Sequence, residues 1–387
     1  MKQRSIWLTL ILCAAILVNP AVPKAQAGTD TPAVSTPAAE AVGNLTATSI
    51  GSSIYEVTPA PETVYQKPVV PAPPSGNATS PDPLVVKPVP RVKTAHKITR
   101  SGSTLIYDNR AMEIIQFRTG PAGFYAKVIN RFAAACGPEV RVYSLLAPTA
   151  FEFLDDPDYQ GLAAPQRDTI DYVNSCFDPG VIPIDAYGKL AAHLNEYVFF
   201  RSDHHWTALG AYYAYQAFME ARGEIPVPLS KYRPEKMNGY LGYFYWITKN
   251  TRLAKTPDTI TYYAPLVPAK MEVNTGKGWR TNSIINRQFS ASRRKYCVFL
   301  GSDWALARIK TGNPNGKKIM VEKDSFGNPF AIFLIPHYQE IYLVDTRHFK
   351  GNLLDVVKQN GIQEVLFLHY MLIPAANDIP WAIHIRF

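Results

Sequence analysis

Apolar positions between residues 96 and 387 recur with two periods. Phe124–Cys136 carries them at helical spacing, and Gly137-Pro138 ends the run. Val140–Leu146 follows as a mostly apolar strand closing on Ala147-Pro148-Thr149. Pro165–Ser175 predicts a helix and Val181–Ile184 a short buried strand. Asp185 is placed to cap a further helix running through His193. Thr207–Arg222 predicts a strong helix with Thr207 at its N-cap. Residues 224–296 are aromatic and show no sustained period. Beyond them Cys297–Leu300, Lys318–Val321, Ile341–Val344 and Val365–Leu368 read as strands. Helical segments near 329–334 and 352–360 separate the last three. Apolar strands alternating with helices predict an α/β/α sandwich on a parallel central sheet. Sites on such sheets lie at the carboxyl ends of the strands.

The front of the chain reads differently. Lys2 and Arg4 precede an apolar run from Ser5 to Val18, and Ala25-Gln26-Ala27 has the small-x-small form of a cleavage site. Residues 1–27 are therefore expected to be a secretory signal peptide, with retention as an uncleaved anchor as the alternative. Cys13 follows Leu12 and lies too early for a lipoprotein signal. Residues 28–95 hold 12 of the 32 prolines among Ala, Thr, Ser and Val, which predicts an extended linker or tether. The body is then 96–387, long enough for a substantial core.

No stretch of 18 apolar residues occurs, which excludes a multi-span membrane protein. The formal charge is +9, of which the body holds +7, but basic residues form no long runs. An anionic surface or polymer suits that balance, and nucleic acid is not called for. Cleavage would leave Cys136, Cys176 and Cys297. In an exported protein Cys136 and Cys176 are the pair favoured by spacing, and three buried thiols are the alternative. No Cys or Cys/His spacing suggests zinc, and no metal or cofactor is expected.

Two segments carry candidate chemistry. Ser202-Asp203-His204-His205-Trp206-Thr207 lies just ahead of the strong helix. In an extended segment Asp203 and His205 share a side, so the carboxylate can orient the imidazole as a general base. The plainer reading is a capping Asp and a surface histidine pair. Lys323-Asp324-Ser325-Phe326-Gly327-Asn328-Pro329 directly follows a strand. There Ser325 would stand exposed on a tight turn that Gly327 allows, with backbone N–H groups near an oxyanion. The plainer reading is a helix cap. Ser302, in Gly301-Ser302-Asp303, is a rival nucleophile. The Asp203-His204-His205 cluster also suggests a metallophosphoesterase, but no second acidic cluster completes such a site.

Tyr197 to Tyr215, YVFFRSDHHWTALGAYYAY, resembles the signature of the bacterial DHHW protein family, as do KDSFGNPF at Lys323–Phe330, Ile341–Asn352 and Leu145–Thr149. The resemblance spans roughly 100–387. That family is similar to SGNH-hydrolase-like O-acetyltransferases of alginate biosynthesis, with the Asp-x-His pair ahead of the serine, as in a circular permutation. The resemblance implies Ser325 as nucleophile, His205 as base and Asp203 as its orienting acid, with His204 in the variable position. Arg347 becomes a candidate for binding an oxyanion or anionic substrate, or else a partner of Asp345. Gly327 and Asn328 are further oxyanion candidates; an Asn after a later strand, part of the usual set, is replaced here by His369 and Tyr370. The implied activity is O-acyl transfer to a surface or secreted polysaccharide, with a membrane-bound O-acyltransferase as partner and an extracytoplasmic location. A secreted carbohydrate esterase and a non-catalytic surface-binding protein are the alternatives. The aromatic stretch Tyr240–Trp246 could stack on sugar rings or cap the sheet.

Overall fold

Three short strands open the body as an antiparallel meander: β1 (Ile98–Ser101), β2 (Thr104–Tyr107) and β3 (Arg110–Glu113). The computed structural model describes residues 96–375 and residue 387, so the expected signal peptide and linker lie outside the described residues. After the meander come α1 (Thr119–Cys136), β4 (Arg141–Ala147), α2 (Gln166–Ser175), β5 (Val181–Ile184), α3 (Ala186–Ala191) and α4 (Ala208–Ala221). The middle of the chain adds β6 (Pro234–Tyr240), α5 (Tyr243–Thr248), β7 (Asp258–Tyr263), β8 (Ala269–Asn274) and β9 (Trp279–Asn282). The last part holds β10 (Leu306–Thr311), β11 (Lys318–Lys323), α6 (Gly327–Leu334), β12 (Glu340–Val344), α7 (Leu353–Asn360) and β13 (Glu364–Tyr370).

The main sheet has eight strands in the order β5-β4-β13-β11-β12-β10-β8-β9. The first five are parallel. β10 runs antiparallel to both β12 and β8, and β9 antiparallel to β8. The sheet is thus mixed, with an antiparallel edge on the expected parallel centre. β6 and β7 pair separately.

Burial on both faces explains the unbroken apolar runs of the central strands. Ile319 and Val321 of β11, with Leu366 and Leu368 of β13, join a core under α4 and α6. Met320, Val365 and Phe367 point the other way, into a core with α1, α2 and α7. Helix α4 is apolar nearly all round and correspondingly buried, and Thr207 caps it through the Gly210 N–H. Asp185 likewise accepts from the Gly188 N–H at the start of α3.

Two expectations are corrected. Cys297–Leu300 is not a strand: Lys295–Val298 forms a 3-10 turn, and Leu300 and Gly301 have φ of 61° and 81°. Val298, Phe299 and Leu300 are apolar because they are buried in the core, and burial alone does not decide between strand and turn. The strand on that side of the sheet is β10, whose LARIKT sequence alternates. Residues 224–296, read as irregular, contribute β6 to β9. Cys136, Cys176 and Cys297 are free thiols, half-buried. Among the described residues no helix is long and apolar enough to cross a membrane.

Candidate active site

The segment from Phe199 to Trp206 forms a tight loop closed by a bridge between those two residues, just before the N-cap of α4. Its foot is fixed by a buried carboxylate. Asp258 accepts from the Ser202 hydroxyl at 2.5 Å and from the N–H groups of Arg201 and Ser202. The Ser202 hydroxyl in turn accepts from the Gly242 N–H at 2.9 Å. The segment is not extended as expected: it bends through residues 201–205, and Asp203 Oδ1 accepts from the His205 N–H two residues on, a turn that brings the two side chains together.

Ser325 stands at the carboxyl end of β11, in the turn into α6. His205 bridges the two segments: its Nε2 lies 2.6 Å from the Ser325 hydroxyl and its Nδ1 lies 2.5 Å from Asp203 Oδ1. An ionised carboxylate only accepts, so Nδ1 carries the proton and the serine hydroxyl donates to Nε2. Asp203 Oδ1 also accepts from the His205 N–H at 3.0 Å. Oδ2 accepts from the Tyr240 hydroxyl and the Tyr243 N–H, each at 2.7 Å. Burial alone would raise this carboxyl, but the His205 imidazole and the Tyr243 N–H outweigh it and hold it well below the usual carboxylate range.

The two walls of the site are aromatic. Tyr296 stacks on the His205 ring at 4.0 Å between centroids and donates its hydroxyl to the Ser325 carbonyl at 2.9 Å. Trp206, fully buried, donates to the Phe326 carbonyl at 2.9 Å. His204 packs beside His205 at 3.9 Å and among Tyr243, Phe326 and Tyr370. Burial and the neighbouring His205 lower its pKa to about 3, so it is neutral at physiological pH. The ligand-type atoms of Asp203, His204 and His205 lie within 4.8 Å of one another. However, both Asp203 oxygens and both His205 nitrogens are engaged in hydrogen bonds, a donor set arranged for proton transfer between side chains.

The turn after Ser325 differs from the sequence expectation. The N–H of Phe326 is held by Asp324 Oδ1 at 2.8 Å, that of Gly327 by the Asp324 carbonyl, and that of Asn328 by the Ser325 carbonyl. Among the described residues, only the Ser325 N–H of this turn has no such partner. Gly327 is needed for space, because a Cβ there would lie 2.5 Å from the Lys323 stem. The Asn328 amide donates to Asp303 Oδ1 at 2.8 Å. Arg347 is bidentate to Asp345, at 2.9 and 2.5 Å, and lies 3.2 Å from Asp303. Asp303 thus gathers Asn328, Arg347 and, at 3.6 Å, Lys323. Burial opposes its ionisation, but Lys323 and Arg347 hold it below the usual range.

The structure therefore brings Asp203, His205 and Ser325 together, places Gly327 under the turn, and engages Asn328 and Arg347 with acidic partners. Ser302 makes no hydrogen bond to His205. Tyr240, Gly242, Tyr296 and Asp303 complete the surroundings and carried no spacing signal in the sequence; the aromatic density of 240–246 was the only hint of the first two.

A mixed sheet covered on both faces, with a serine at the end of one of its inner strands, makes the body an α/β/α sandwich. Residues 62–344 match the DHHW protein family, and the chain belongs to that family. A DHHW family protein from Eubacterium siraeum is 31% identical, with 76% of this chain and 99% of that one covered at a TM-score of 0.69. Bacillus cereus PatB1, in a structure with a sulfonyl adduct, shares the fold at 18% identity, with 74% and 98% covered and a TM-score of 0.59. The O-acetyltransferase domain of Pseudomonas putida AlgJ is more distant, at 15% identity, 75% and 98% covered, and a TM-score of 0.41. No curated protein matches the sequence significantly.

Proposed function

We propose that the chain is an exported O-acyltransferase that modifies a polysaccharide through an acyl-serine, with Asp203, His205 and Ser325 as its catalytic triad. The observation that carries this reading is His205, hydrogen-bonded to Asp203 through Nδ1 and to Ser325 through Nε2. Residues 1–27 would direct export, 28–95 would tether the body 96–387, and a membrane-bound O-acyltransferase would supply the acyl group.

In the first half-reaction the Ser325 oxygen bonds to the acyl carbon while its proton moves to His205 Nε2. The imidazolium formed is balanced by Asp203, which never needs to accept the proton itself. His205 gives that proton to the departing donor oxygen as the donor's acyl bond breaks. In the second half-reaction a glycan hydroxyl loses its proton to Nε2 and attacks the acyl-serine. The same proton then returns to Ser325. The Ser325 N–H is the turn's candidate oxyanion donor, supported by its lack of an internal partner. With water as acceptor the same steps give an esterase, which is the second reading.

The test is covalent labelling with phenylmethylsulfonyl fluoride, read by intact mass, followed by turnover of 4-nitrophenyl acetate with and without an oligosaccharide acceptor. Wild type should gain one sulfonyl group, Ser325→Ala none, and acetylated oligosaccharide should appear at the expense of free acetate. Labelling that survives Ser325→Ala would sink the assignment. Acetate release unchanged by every acceptor would favour the esterase.

A further inference from the structure

Cations crowd one stretch of this chain. Residues 231–297 contain 13 Lys and Arg against three Asp and Glu, a net +10, which exceeds the +9 of the whole chain. The three acids are already paired, Glu235 with Arg287, Asp258 with Arg201 and Glu272 with Arg308. Two of the remaining cations meet on one exposed ring. Lys249 Nζ lies 3.8 Å from the centroid of Trp246, and the Arg293 guanidinium lies 5.6 Å from it. Trp246 is 40% exposed and is held in place by its indole N–H, which donates to the Leu241 carbonyl at 2.8 Å. Among the described residues no carboxylate forms an ion pair with either cation.

Both cations are mounted on segments that also clamp the proposed triad. Tyr243, whose N–H holds Asp203, is one helical turn before Trp246 on α5. Tyr296, which stacks on His205 and holds the Ser325 carbonyl, is three residues after Arg293. A turn of helix rises about 5 Å and three extended residues span at most roughly 10 Å, so the pair lies at the rim of the site.

We propose that Lys249 and Arg293, gathered on the Trp246 ring, form a subsite for an acidic sugar of the acceptor polysaccharide. This rests on the reading that a glycan is the acceptor. A close ammonium occupies a face of Trp246 that a neutral pyranose would need, so the ring serves as a seat for Lys249. Seating the flexible side chain in advance reduces the ordering cost of binding a carboxylate. The two like charges near one ring repel each other, and a ligand anion relieves that repulsion. The body thus offers its cationic face where the acceptor must approach the nucleophile, which selects for polymers that carry acid groups near the acylated hydroxyl.

The test is affinity electrophoresis in gels containing sodium polygalacturonate or neutral dextran. Wild type and Ser325→Ala should both be retarded by polygalacturonate and not by dextran, and the retardation should fade between about 0.05 and about 0.5 M NaCl. Lys249→Glu with Arg293→Glu should weaken binding roughly tenfold or more at low salt. Lys249→Gln with Arg293→Gln should weaken it less, and melting curves should show both variants folded. Lys127→Glu with Lys358→Glu, exposed on the helices of the other face, should bind as wild type. Equal loss in both charge-reversed pairs, no loss in either, or equal retention by dextran would overturn the subsite. So would flotation with phosphatidylglycerol vesicles in the absence of polygalacturonate binding. Because Ser325→Ala binds in this scheme, failure of the subsite and failure of the acyl-serine chemistry are read separately.

Discussion

Tyr296 lies over the ring of His205, 4.0 Å between centroids and 15° between planes, while its hydroxyl donates to the backbone carbonyl of Ser325. One side chain therefore fixes both ends of the 2.6 Å hydrogen bond between His205 and Ser325, the proposed base and nucleophile. The stack sets the imidazole plane, and the hydroxyl sets the turn. Tyr296→Phe removes one hydrogen bond, about 1 kcal/mol, and should slow sulfonyl fluoride labelling a few-fold. Tyr296→Ala removes the stack as well and should slow it by roughly a hundredfold. If the two variants label at the same rate, the stack is not what holds His205.

Gly242 touches Asp203 where no side chain fits. A Cβ at 242 would lie 2.3 Å from both the Cβ and Oδ2 of Asp203. Asp203 is 4% exposed and bonded on both oxygens, so it has no free direction of retreat. Gly242→Ala should cost on the order of 3 kcal/mol of stability, as overpacking does, and should also slow labelling. Chemical denaturation and labelling rates together check this. A stable, fully reactive Gly242→Ala would mean the loop shifts freely.

Asp203 links stability to pH. Its folded-state pKa is held below the unfolded value, so its contribution is present above about 4 and is lost as the pH falls through the folded value. The gap in stability between wild type and Asp203→Asn should therefore be largest near neutrality and should shrink below about pH 4. Urea melts at a series of pH values would show it. Asp203→Asn should also slow labelling by two orders of magnitude or more, since the amide no longer favours the tautomer with its proton on Nδ1.

Glu113 has the opposite sign. Burial raises its carboxyl to about 7. The folded state then holds more protons than the unfolded state between roughly pH 4.5 and 7, so stability falls as the pH rises through that window, by at most about 1.4 kcal/mol per pH unit. Glu113→Gln should melt higher than wild type at pH 8 and match it near pH 4.5. A variant that melts lower at both values would show that the carboxyl makes a contact that the amide cannot replace.

Ser302→Ala should leave labelling and turnover intact. Ser302 sits in the loop after Leu300 and Gly301, both at positive φ, and His205 bonds to Ser325 instead. Loss of activity in Ser302→Ala, with retention in Ser325→Ala, would exchange their roles.

The chemistry-bearing loops were legible because their residues obey local rules. Thr207 and Asp185 cap helices as their types and positions suggest. Lys318–Lys323 is an apolar strand followed by a tight turn that only a glycine at 327 accommodates. The central strands were legible because burial on both faces leaves continuous apolar runs. β9 was not, since this edge strand, Trp279–Asn282, is exposed and polar; β8 is internal and does alternate, Met271 and Val273 inward, but over only six residues among irregular ones. Cys297–Leu300 misled because a buried 3-10 turn has the same composition as a buried strand. The walls of the site escaped for another reason. Tyr240 and Tyr296 reach Asp203 and Ser325 across 37 and 29 residues, and no sequence period records such a contact. The Arg347–Asp345 pair, two residues apart, was one of the readings the sequence offered and is formed, but the engagement of Asn328 and Arg347 with Asp303 depends on where separate loops meet.

The place of β13 between β4 and β11 has a consequence for biogenesis. β11 carries Ser325 but has its two sheet neighbours, β12 and β13, still to come in the chain, and Glu364–Tyr370 is the last strand described. Until that strand inserts, the segment bearing the serine has no connection to the sheet half built from β4 and β5. During synthesis the Ser325 turn therefore stays apart from that half while some forty residues beyond it are still missing. On the proposed chemistry, reactivity then arrives with the closing strand, so a chain truncated before it should take up no sulfonyl label.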